Sequence, residues 1–514
     1  MTLRPDIILL VLDTQRVDRL SCYGYGSETS PYLDELAAES TQFLHAYSAA
    51  QWTIPSHTSM FTGLYPNEHH MLHANSILSS ELTPLAERLQ QGGYATAAFC
   101  NNPLIGVVNT GLQRGFQSFL NYSGLLTSYP NQEINTKNSL DRYRTYFKRS
   151  LARVITNMQD AFARSDTLLD LSFSPLMSPL WQTALSFKGN TSRSLQDAAR
   201  LHIERKGIAP DQPLFSFINL MGVHMPFHPS ARFTERFAPK VQQDKATRRY
   251  LRQFNSDVFG WITPLTSDID DQKKALLDGV YDAEVANQDE QVGLFLHQLR
   301  KSGALDNTLL IVCADHGEQL GEKQMMGHGI SLSNTLVHVP LLIRDPSGTF
   351  PLNSTVEQAT STRRIFHTIL TAAEEATNDE QEYTLAQSPG SDPDSEAFFA
   401  VGITPQNQIN LMQRRRPDLL VAHQCDQPRF AIWQNQYKLI QTGDSRLELY
   451  DVFTDPTEQT DLQHILPEQV ENLQERLRSF RQHALPVKAA NARQEISIDP
   501  QVQRRLHDLG YIED

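Results

Sequence analysis

The clearest pattern along the chain is a set of short, nearly continuous apolar runs. Runs without alternating polar positions are typical of strands buried on both faces of a parallel sheet. Four such runs occur: DIILLVL at 6–12, PLFSFINL at 213–220, TLLIVC at 308–313 and VPLLI at 339–343. Between them, residues 82–91 and 280–302 carry apolar side chains at helical spacing. Strands that alternate with helices predict an α/β fold in which helices cover both faces of one large sheet.

The pattern changes in two places, which divides the chain. Residues 120–210 are polar and helix-leaning, and we predict that they form an insertion or lid over the sheet. Residues 377–397 are acidic and rich in Ser, Pro and Gly, as is typical of a linker or long loop. Short strand-like pieces follow, at 398–401, 430–433 and 437–440. We therefore predict an α/β domain at 1–390, with a large mixed, mostly parallel sheet sandwiched by helices, and a smaller C-terminal domain with an antiparallel sheet at 391–514.

Charge and cysteine content argue against several classes of protein. Lys and Arg number 45 and Asp and Glu 59, so the net charge of −14 disfavours nucleic-acid binding, which relies on clustered basic residues. A small anionic substrate stays compatible, because a local site can be positive. The four cysteines are far apart and form no CxxC pair, which disfavours a disulfide framework or a structural zinc site.

The N-terminal segment bears on location. Its apolar run at 7–12 is too short to cross a bilayer, and no signal-peptide pattern precedes it. We therefore predict a cytoplasmic protein without a membrane span. Its oligomeric state is open.

Acidic residues follow two of the predicted strands. Asp13 comes directly after the first apolar run, and Asp315 and His316 follow TLLIVCA. In open α/β sheets, ligands bind beyond the carboxyl ends of the strands. A lone Asp at a strand end is more often a helix cap or a turn residue. Two such ends together with an adjacent histidine favour a divalent metal site, since carboxylates and imidazole are metal ligands.

Seven stretches, some of which contain the residues just described, occur in an order that resembles the sulfatase family of the alkaline-phosphatase superfamily. The resemblance covers nearly the whole chain and implies an ester hydrolase with the α/β fold described above. The stretches are DTQRVDRLSCYGYG, TIPSHTSMFTGLYP, NLMGVHMPFHP, YDAEVANQDEQVG, ADHGEQLGEK, GHGISLSNTLVHVPLLI and, near the C-terminus, LELYDVFTDPTEQTDL.

The resemblance implies one divalent metal ion held by four side chains, those of Asp13, Thr53, Asp315 and His316. Many family members carry a second acidic residue after the first one, and Thr14 stands at that position here. We expect Gln15 or a water to fill the gap. Mg, Mn, Ca and Zn all remain compatible with this ligand set.

The chain departs from the family at Thr53. Formylglycine-type sulfatases have Cys or Ser there, followed by x-Pro-x-Arg, and this chain has Thr53 and His57 instead. Oxidation of a threonine gives a ketone, so no formylglycine is expected. We predict that Thr53 acts as the nucleophile through its own hydroxyl, a chemistry better suited to phosphate esters than to sulfate esters. The structural alternative, a helix N-cap, is compatible with this role.

The resemblance also implies residues that face the substrate. His224 and His328 are candidate general acids for the leaving group, and which of the two serves is open. His57 and Asn102 are candidate substrate-binding residues. The histidines of NEHHMLH (69, 70 and 73) either line the pocket or hold a loop, with the second role favoured, and Asp289 is expected to make structural bonds only.

Four functions stay open at this point. The favoured one is metal-dependent hydrolysis of a phosphomonoester, phosphodiester or phosphonate ester. Hydrolysis of a sulfate ester and transfer of a phospho or sulfo group to an acceptor keep the same site. A pseudoenzyme that binds an anion without turnover belongs to another class, and the full set of candidate catalytic residues argues against it.

Overall fold

A computed structural model describes residues 4–122, 188–387, 391–394 and 396–482. The greater part of the predicted insertion at 120–210 lies outside the described residues, as does the end of the chain after residue 482. In the parts of the chain that the structure describes, no helix combines the length and the apolar character that a membrane crossing requires.

The described residues form seventeen strands and seventeen α-helices. In chain order the strands are β1 Asp6–Leu12, β2 Thr41–Phe43, β3 Ala46–Tyr47, β4 Ala95–Cys100, β5 Ser118–Asn121, β6 Leu214–Leu220, β7 Thr308–Cys313, β8 Gln319–Leu320, β9 Met326–Gly327, β10 His338–Val339, β11 Leu341–Arg344, β12 Ser354–Val356, β13 Thr360–Ser361, β14 Ala397–Gly402, β15 Arg429–Gln434, β16 Tyr437–Thr442 and β17 Arg446–Asp451. The helices are α1 Pro31–Ala37, α2 Thr53–Thr62, α3 Pro66–His69, α4 Leu85–Gln91, α5 Pro103–Gly106, α6 Thr191–Glu204, α7 Ala231–Phe237, α8 Lys240–Gln243, α9 Lys245–Ser256, α10 Val258–Trp261, α11 Asp271–Ser302, α12 Asn334–Val337, α13 Ile365–Ala372, α14 Asn378–Gln381, α15 Gln406–Arg415, α16 Pro417–Ala422 and α17 Pro467–Gln482.

The main sheet has eight strands in the order β12-β2-β11-β7-β1-β6-β4-β5. Strands β7, β1, β6, β4 and β5 run parallel, and β11 runs antiparallel to both of its neighbours. The predicted large, mixed and mostly parallel sheet is therefore confirmed. Its four central parallel strands end side by side, so the residues that follow them meet at one edge.

Two of the strand predictions need correction. The apolar run at 339–343 forms two strands: β10, in a small three-stranded sheet, and β11, in the main sheet. Pro340 separates them, because a proline supplies no N–H to a ladder. The sequence analysis also missed β4, whose residues are all buried. Its sequence ATAAFC is rich in alanine, which is depleted in strands and gives a weak apolar signal.

The core lies on both faces of the main sheet. Along β1, Ile7, Leu9 and Val11 belong to one buried cluster with residues of α2, α4 and α13. The alternate positions of the same strand belong to a second cluster with residues of α1, α6 and α11. Alternation of side chains between the two faces of a strand produces this division. The main sheet is thus sandwiched by helices, as predicted.

The C-terminal sheet is antiparallel, with strands in the order β14-β15-β16-β17. The three strand-like pieces predicted there are confirmed, and β17 is a fourth strand that runs from Arg446 into the start of the LELYDVFTDPTEQTDL stretch. The buried Lys438 ammonium donates to Leu332 O at 2.7 Å and to Glu458 Oε1 at 2.5 Å. This contact ties the second sheet to the segment that follows His328.

The described part of the acidic stretch at 377–397 makes defined contacts with the main domain. It contains α14, and its Asp392 and Asp394 carboxylates pair with the buried Arg364 guanidinium.

Asp289 makes structural bonds, as predicted. Its carboxylate accepts the backbone N–H groups of Tyr32 at 3.0 Å and Leu33 at 2.9 Å at the start of α1.

Candidate metal and catalytic site

The carboxyl edge of the four central strands brings the candidate residues together. Asp13 follows β1 directly, and Asp315 lies two residues beyond the end of the adjacent β7. On the other side of β1, strand β6 ends at Leu220, and β4 beyond it leads to Asn102. Residues more than 200 positions apart in the chain thereby meet at this edge.

Three of the predicted metal ligands converge at this edge. Ligand atoms of Asp13, Asp315 and His316 lie within 4.8 Å of one another, and all three residues are fully buried. His316 Nε2 is 3.3 Å from Asp315 Oδ2 and 3.9 Å from Asp13 Oδ1. His316 Nδ1 lies 2.9 Å from Gly317 O, which can only accept, so Nδ1 carries the proton and Nε2 presents a lone pair to the cluster.

The unpaired atoms of this cluster fit a divalent cation. Asp13 Oδ1 and Asp315 Oδ2, the two carboxylate oxygens that face His316, are buried and have no hydrogen-bond partner among the described residues. Buried carboxylate oxygens without partners are costly unless a cation or donor neutralises them. Burial raises the pKa of Asp13 to about 7, with a contribution from the Asp315 charge, and burial raises the pKa of Asp315 to about 8. A bound cation would reverse both shifts, since positive charge favours the carboxylate form.

Thr53 stands beside this cluster at the start of α2. Its hydroxyl oxygen is 3.3 Å from His316 Nε2, and the residue is fully buried. The helix N-cap is Trp52, so the expectation that Thr53 caps the helix is off by one residue, and Thr53 is the first helical residue. At this position Thr53 lies at the helix N-terminus, where the helix dipole attracts an anion.

Two amide side chains hold Asp13. Asn102 Nδ2 donates to Asp13 Oδ2 at 2.6 Å, and Asn219 Nδ2 lies 3.3 Å from the same oxygen. These bonds occupy Oδ2 and leave Oδ1 for the cluster. The structure thus places the predicted substrate-binding Asn102 against a metal-ligand candidate. Asn219 was not predicted, although a polar residue at the end of the buried run PLFSFINL was a signal for it.

His57 lies beneath Thr53, one helical turn along α2. Its Nδ1 is 2.9 Å from Thr53 O and 3.4 Å from Asp315 Oδ2, and its Nε2 is 3.4 Å from Asn219 Nδ2. Burial lowers the pKa of His57 to about 3, so a neutral ring stands where the formylglycine-type motif has arginine. A neutral ring with an Nδ1–H donor to Thr53 O and an Nε2 acceptor for Asn219 satisfies these two hydrogen bonds.

His224 and His328 form a second group with Glu318, which the sequence analysis did not single out. The rings of His224 and His328 have centroids 5.0 Å apart, and the ring of His328 lies 4.5 Å from that of His316. His328 Nδ1 is 2.7 Å from Glu318 Oε1. Burial lowers the pKa of His224 to about 3 and that of His328 to about 4, so both rings are neutral in this pocket at neutral pH.

The remaining candidates have local structural contacts. Thr14 has a positive φ of 60°, and its backbone N–H donates to Asp315 Oδ1 at 3.2 Å. Gln15 donates its side-chain amide to Arg16 O at 3.0 Å. His69 is buried, with Ser59 Oγ 3.1 Å from its Nε2 and the N–H of Met71 3.1 Å from its Nδ1. This agrees with the loop-holding role favoured for the NEHHMLH histidines.

Comparison with known proteins assigns the family. The family profile described as Sulfatase matches residues 5–375, most of the chain. The chain belongs to the sulfatase family. It is therefore a hydrolase of the alkaline-phosphatase superfamily, and members of this family bind a divalent metal ion. The recognition made from the seven motif stretches is confirmed.

The relatives of this sulfatase-family hydrolase include enzymes of both ester classes. An arylsulfatase of Clostridium perfringens (strain 13 / Type A) is 22% identical over 352 residues, which cover 67% of this chain and 69% of that protein. A phosphonate monoester hydrolase of Agrobacterium radiobacter superimposes with a TM-score of 0.64 at 21% identity, over 93% of this chain and 96% of the other. A structure in complex with its substrate D-glucosamine-2-N,6-O-disulfate superimposes with a TM-score of 0.60 at 17% identity, over 93% and 98% of the two chains. At these identities the superpositions show a shared fold.

A substitution at Asp315 tests the metal cluster. Asp315→Asn removes one anionic ligand but keeps an oxygen for the N–H groups of Thr14 and His316. We expect the purified metal-free variant to stay folded and to lose the rise in melting temperature that a divalent cation gives the parent. A ligand at 100 times its Kd stabilises a protein by about 2.7 kcal/mol. The matched control is Asp306→Asn, an exposed aspartate at the opposite end of β7, and full metal content in Asp315→Asn would refute the assignment.

Proposed function

We propose that this hydrolase cleaves phosphate-type esters (phosphomonoesters, phosphodiesters or phosphonates) with Thr53 as its nucleophile. The observation that carries the proposal is the position of the Thr53 hydroxyl, buried at the start of α2 and 3.3 Å from His316 Nε2. An unmodified hydroxyl at the position of the formylglycine precursor changes the chemistry that is available after the first attack.

The choice of ester follows from the way each covalent intermediate breaks down. A formylglycine hydrate expels sulfate through its own second hydroxyl, so water need not attack sulfur. A threonine ester has no second hydroxyl, so water must attack the central atom and break its bond to Thr53 Oγ. Enzymes that form such oxygen esters with phosphate complete this step by a second displacement at phosphorus. Thr53 therefore favours phosphorus over sulfur as the centre attacked.

The residues around Thr53 hold it for attack. Helix α2 is buried along its length, which fixes the backbone of the nucleophile. His57 holds Thr53 O, and the amides of Asn102 and Asn219 hold Asp13. A divalent cation held by Asp13, Thr53, Asp315 and His316 would lower the pKa of the Thr53 hydroxyl and offset the charge of the ester. Holding the reacting oxygen in place supplies much of the rate advantage of such a site.

His224 and His328 are proposed to serve the departing oxygen. The His224 ring is buried and the His328 ring is partly buried, and burial lowers the pKa of both. A bound anionic ester raises the pKa of nearby imidazoles because it favours their protonated form. A protonated ring then donates its proton to the oxygen as the bond to phosphorus breaks.

A panel of substrates tests the proposed ester class. Aryl phosphate, phosphodiester, phosphonate monoester and sulfate esters with one common leaving group are compared at saturating Mg, Mn, Ca and Zn. We expect the highest kcat/KM on one of the three phosphorus esters. A sulfate ester as the best substrate would overturn the choice of phosphorus, and turnover only in the presence of an acceptor alcohol would identify a transferase.

Substitutions at Thr53 test the nucleophile. Thr53→Ala should keep the fold and much of the metal binding, because two carboxylates and an imidazole remain, and should lower kcat at least about 10³-fold through loss of the held nucleophile. Thr53→Ser should retain substantial turnover. Mass spectrometry of acid-quenched parent enzyme should find a phosphoryl group on Thr53 and none in Thr53→Ala.

The control for this experiment is Thr58→Ala, which removes a buried hydroxyl from the same helix, bonded to Ile54 O at 2.7 Å. It should leave kcat within a few-fold of the parent. Undiminished turnover in Thr53→Ala would show that water attacks directly.

The dependence on leaving group tests His224 and His328. One of the two variants, His224→Gln or His328→Gln, should remove the proposed general acid. In that variant the rate of alkyl phosphate hydrolysis should fall by about 10² to 10⁴-fold, whereas the rate of 4-nitrophenyl phosphate hydrolysis should fall far less. The good leaving group needs little help because it departs as a stable anion. The exposed His297→Gln serves as the control. Equal losses on both substrates would indicate a binding role instead.

A further inference from the structure

Two side-chain amides contact Gly329, the residue that follows His328. Gln51 Nε2 donates to Gly329 O at 3.2 Å and to Ile403 O, also at 3.2 Å. The carboxamide of Gln408 packs against the Cα atom of Gly329, since a Cβ built there would collide with Gln408 Oε1. A glycine at this position therefore leaves room for an amide directly beside a candidate general acid.

Three polar atoms at this place have no hydrogen-bond partner among the described residues. They are Gln51 Oε1, Gln408 Oε1 and Oγ1 of Thr404, which follows Ile403 directly. Gln51 is fully buried, and Thr404 and Gln408 are only 2% and 4% exposed. Buried polar atoms without partners cost free energy, so a group that bonds to them is favoured there. We propose that Gln51, Thr404 and Gln408 form a hydroxyl subsite, which binds hydroxyl groups on the alcohol part of the ester.

The hydroxyl subsite lies beside the reacting atoms. Trp52 has an extended backbone, with φ −150° and ψ 169°, and the side chains before and after an extended residue point to the same side. Gln51 and Thr53 therefore face the same way. Gly329, which both amides contact, follows His328, a residue proposed to serve the departing oxygen. The alcohol part of the ester is attached to that oxygen, so its further hydroxyl groups would lie next to the subsite.

The chemistry of the three side chains matches neutral hydroxyl groups. Gln51 Oε1 can only accept, because two carbonyl oxygens fix Nε2 as the donor end, whereas the Thr404 hydroxyl can donate or accept. A hydroxyl group does both, so it can bond to each of them. None of the three side chains carries a charge that would offset an ammonium or a carboxylate group. The subsite therefore favours a polyol or a sugar as the alcohol.

The C-terminal sheet positions two of the three residues. Thr404 lies two residues beyond the end of β14, and Gln408 lies on α15. The N–H of Val401 in β14 donates to Ala49 O at 3.0 Å, which fixes this strand against the segment that leads to Gln51. The inference deepens the proposed function and rests on it for the identity of the departing oxygen, since it names the class of alcohol that is released.

Matched pairs of ligands test the hydroxyl subsite without turnover. The Mn²⁺-loaded Thr53→Ala chain is titrated by calorimetry with glycerol 1-phosphate and propyl phosphate, and with glucose 6-phosphate and cyclohexylmethyl phosphate. We expect the hydroxylated member of at least one pair to bind about 10-fold more tightly or better, because the other member leaves the buried polar atoms unpaired. The pair with the larger ratio of Kd values distinguishes a polyol from a sugar.

Substitutions in the same chain assign this ratio to particular residues. Thr404→Val removes a hydroxyl group that has no partner among the described residues, and Gln408→Met removes the carboxamide at similar volume. Each should lower the ratio at least about 5-fold. Gln413→Met, at an exposed position of the same helix, is the matched control and should keep the ratio. A structural defect would weaken both members of a pair alike, so the ratio separates recognition from folding.

Sulfate esters of the same four alcohols separate this inference from the proposed function. Binding of the sulfate esters alone, with a ratio that Thr404→Val and Gln408→Met still lower, would sustain the subsite and overturn the choice of phosphorus. Equal affinities within both pairs, a ratio that neither substitution lowers, or no binding of any ester would overturn the subsite. The three unpaired atoms would then be left to bound water.

Discussion

The burial of two carboxylates side by side at the ends of β1 and β7 is the constraint on which the rest of the site depends. Removal of a carboxylate from water costs several kcal/mol unless a partner compensates for it. Asp13 and Asp315 have partners on one oxygen each and leave Oδ1 and Oδ2, respectively, unpaired toward His316. A bound cation would offset this cost, and the fold therefore favours positive charge at this edge of the sheet.

The residues around the two carboxylates fix their orientation. Amides from β6 and from the segment after β4 hold the outer oxygen of Asp13, and Thr14 donates its backbone N–H to the outer oxygen of Asp315. Helix α2 begins at the cluster and presents Thr53 to it. His57 occupies the place of a charged family arginine as a neutral ring, which adds no positive charge next to Thr53. A cation held by Asp13, Asp315 and His316 would supply positive charge there.

The segment from 315 to 338 connects the site to the C-terminal sheet. It carries His316, Glu318 and His328, and the buried Lys438–Glu458 pair anchors its Leu332 carbonyl. The second sheet therefore supports the loop that holds the two histidine-containing groups. This is a physical reason for the C-terminal sheet to accompany the catalytic α/β unit.

Much of the fold and of the candidate site could be predicted from the sequence, because some features depend on local pattern. Apolar runs predicted β1, β6 and β7, since a strand buried on both faces needs apolar side chains at every position. The acids at their ends predicted Asp13, Asp315 and His316 as neighbours, because parallel strands end at a common edge. The motif order indicated the family, and the identity of Thr53 led to the expectation that no formylglycine forms.

Other features were decided only by tertiary structure. Alanine-rich β4 becomes a strand because β5 and β6 flank it, a fact that no local propensity contains. Asn219 had a polar identity but no visible partner in the sequence, since its partner Asp13 lies 206 positions away, and the contact of Glu318 with His328 depends on how the loop between them folds back. Whether an oxygen is left without a partner depends on every neighbour in three dimensions. The sequence by itself therefore determined which residues are candidate metal ligands, namely Asp13, Asp315 and His316, whereas the fold decided which of their oxygen atoms have no hydrogen-bond partner among the described residues.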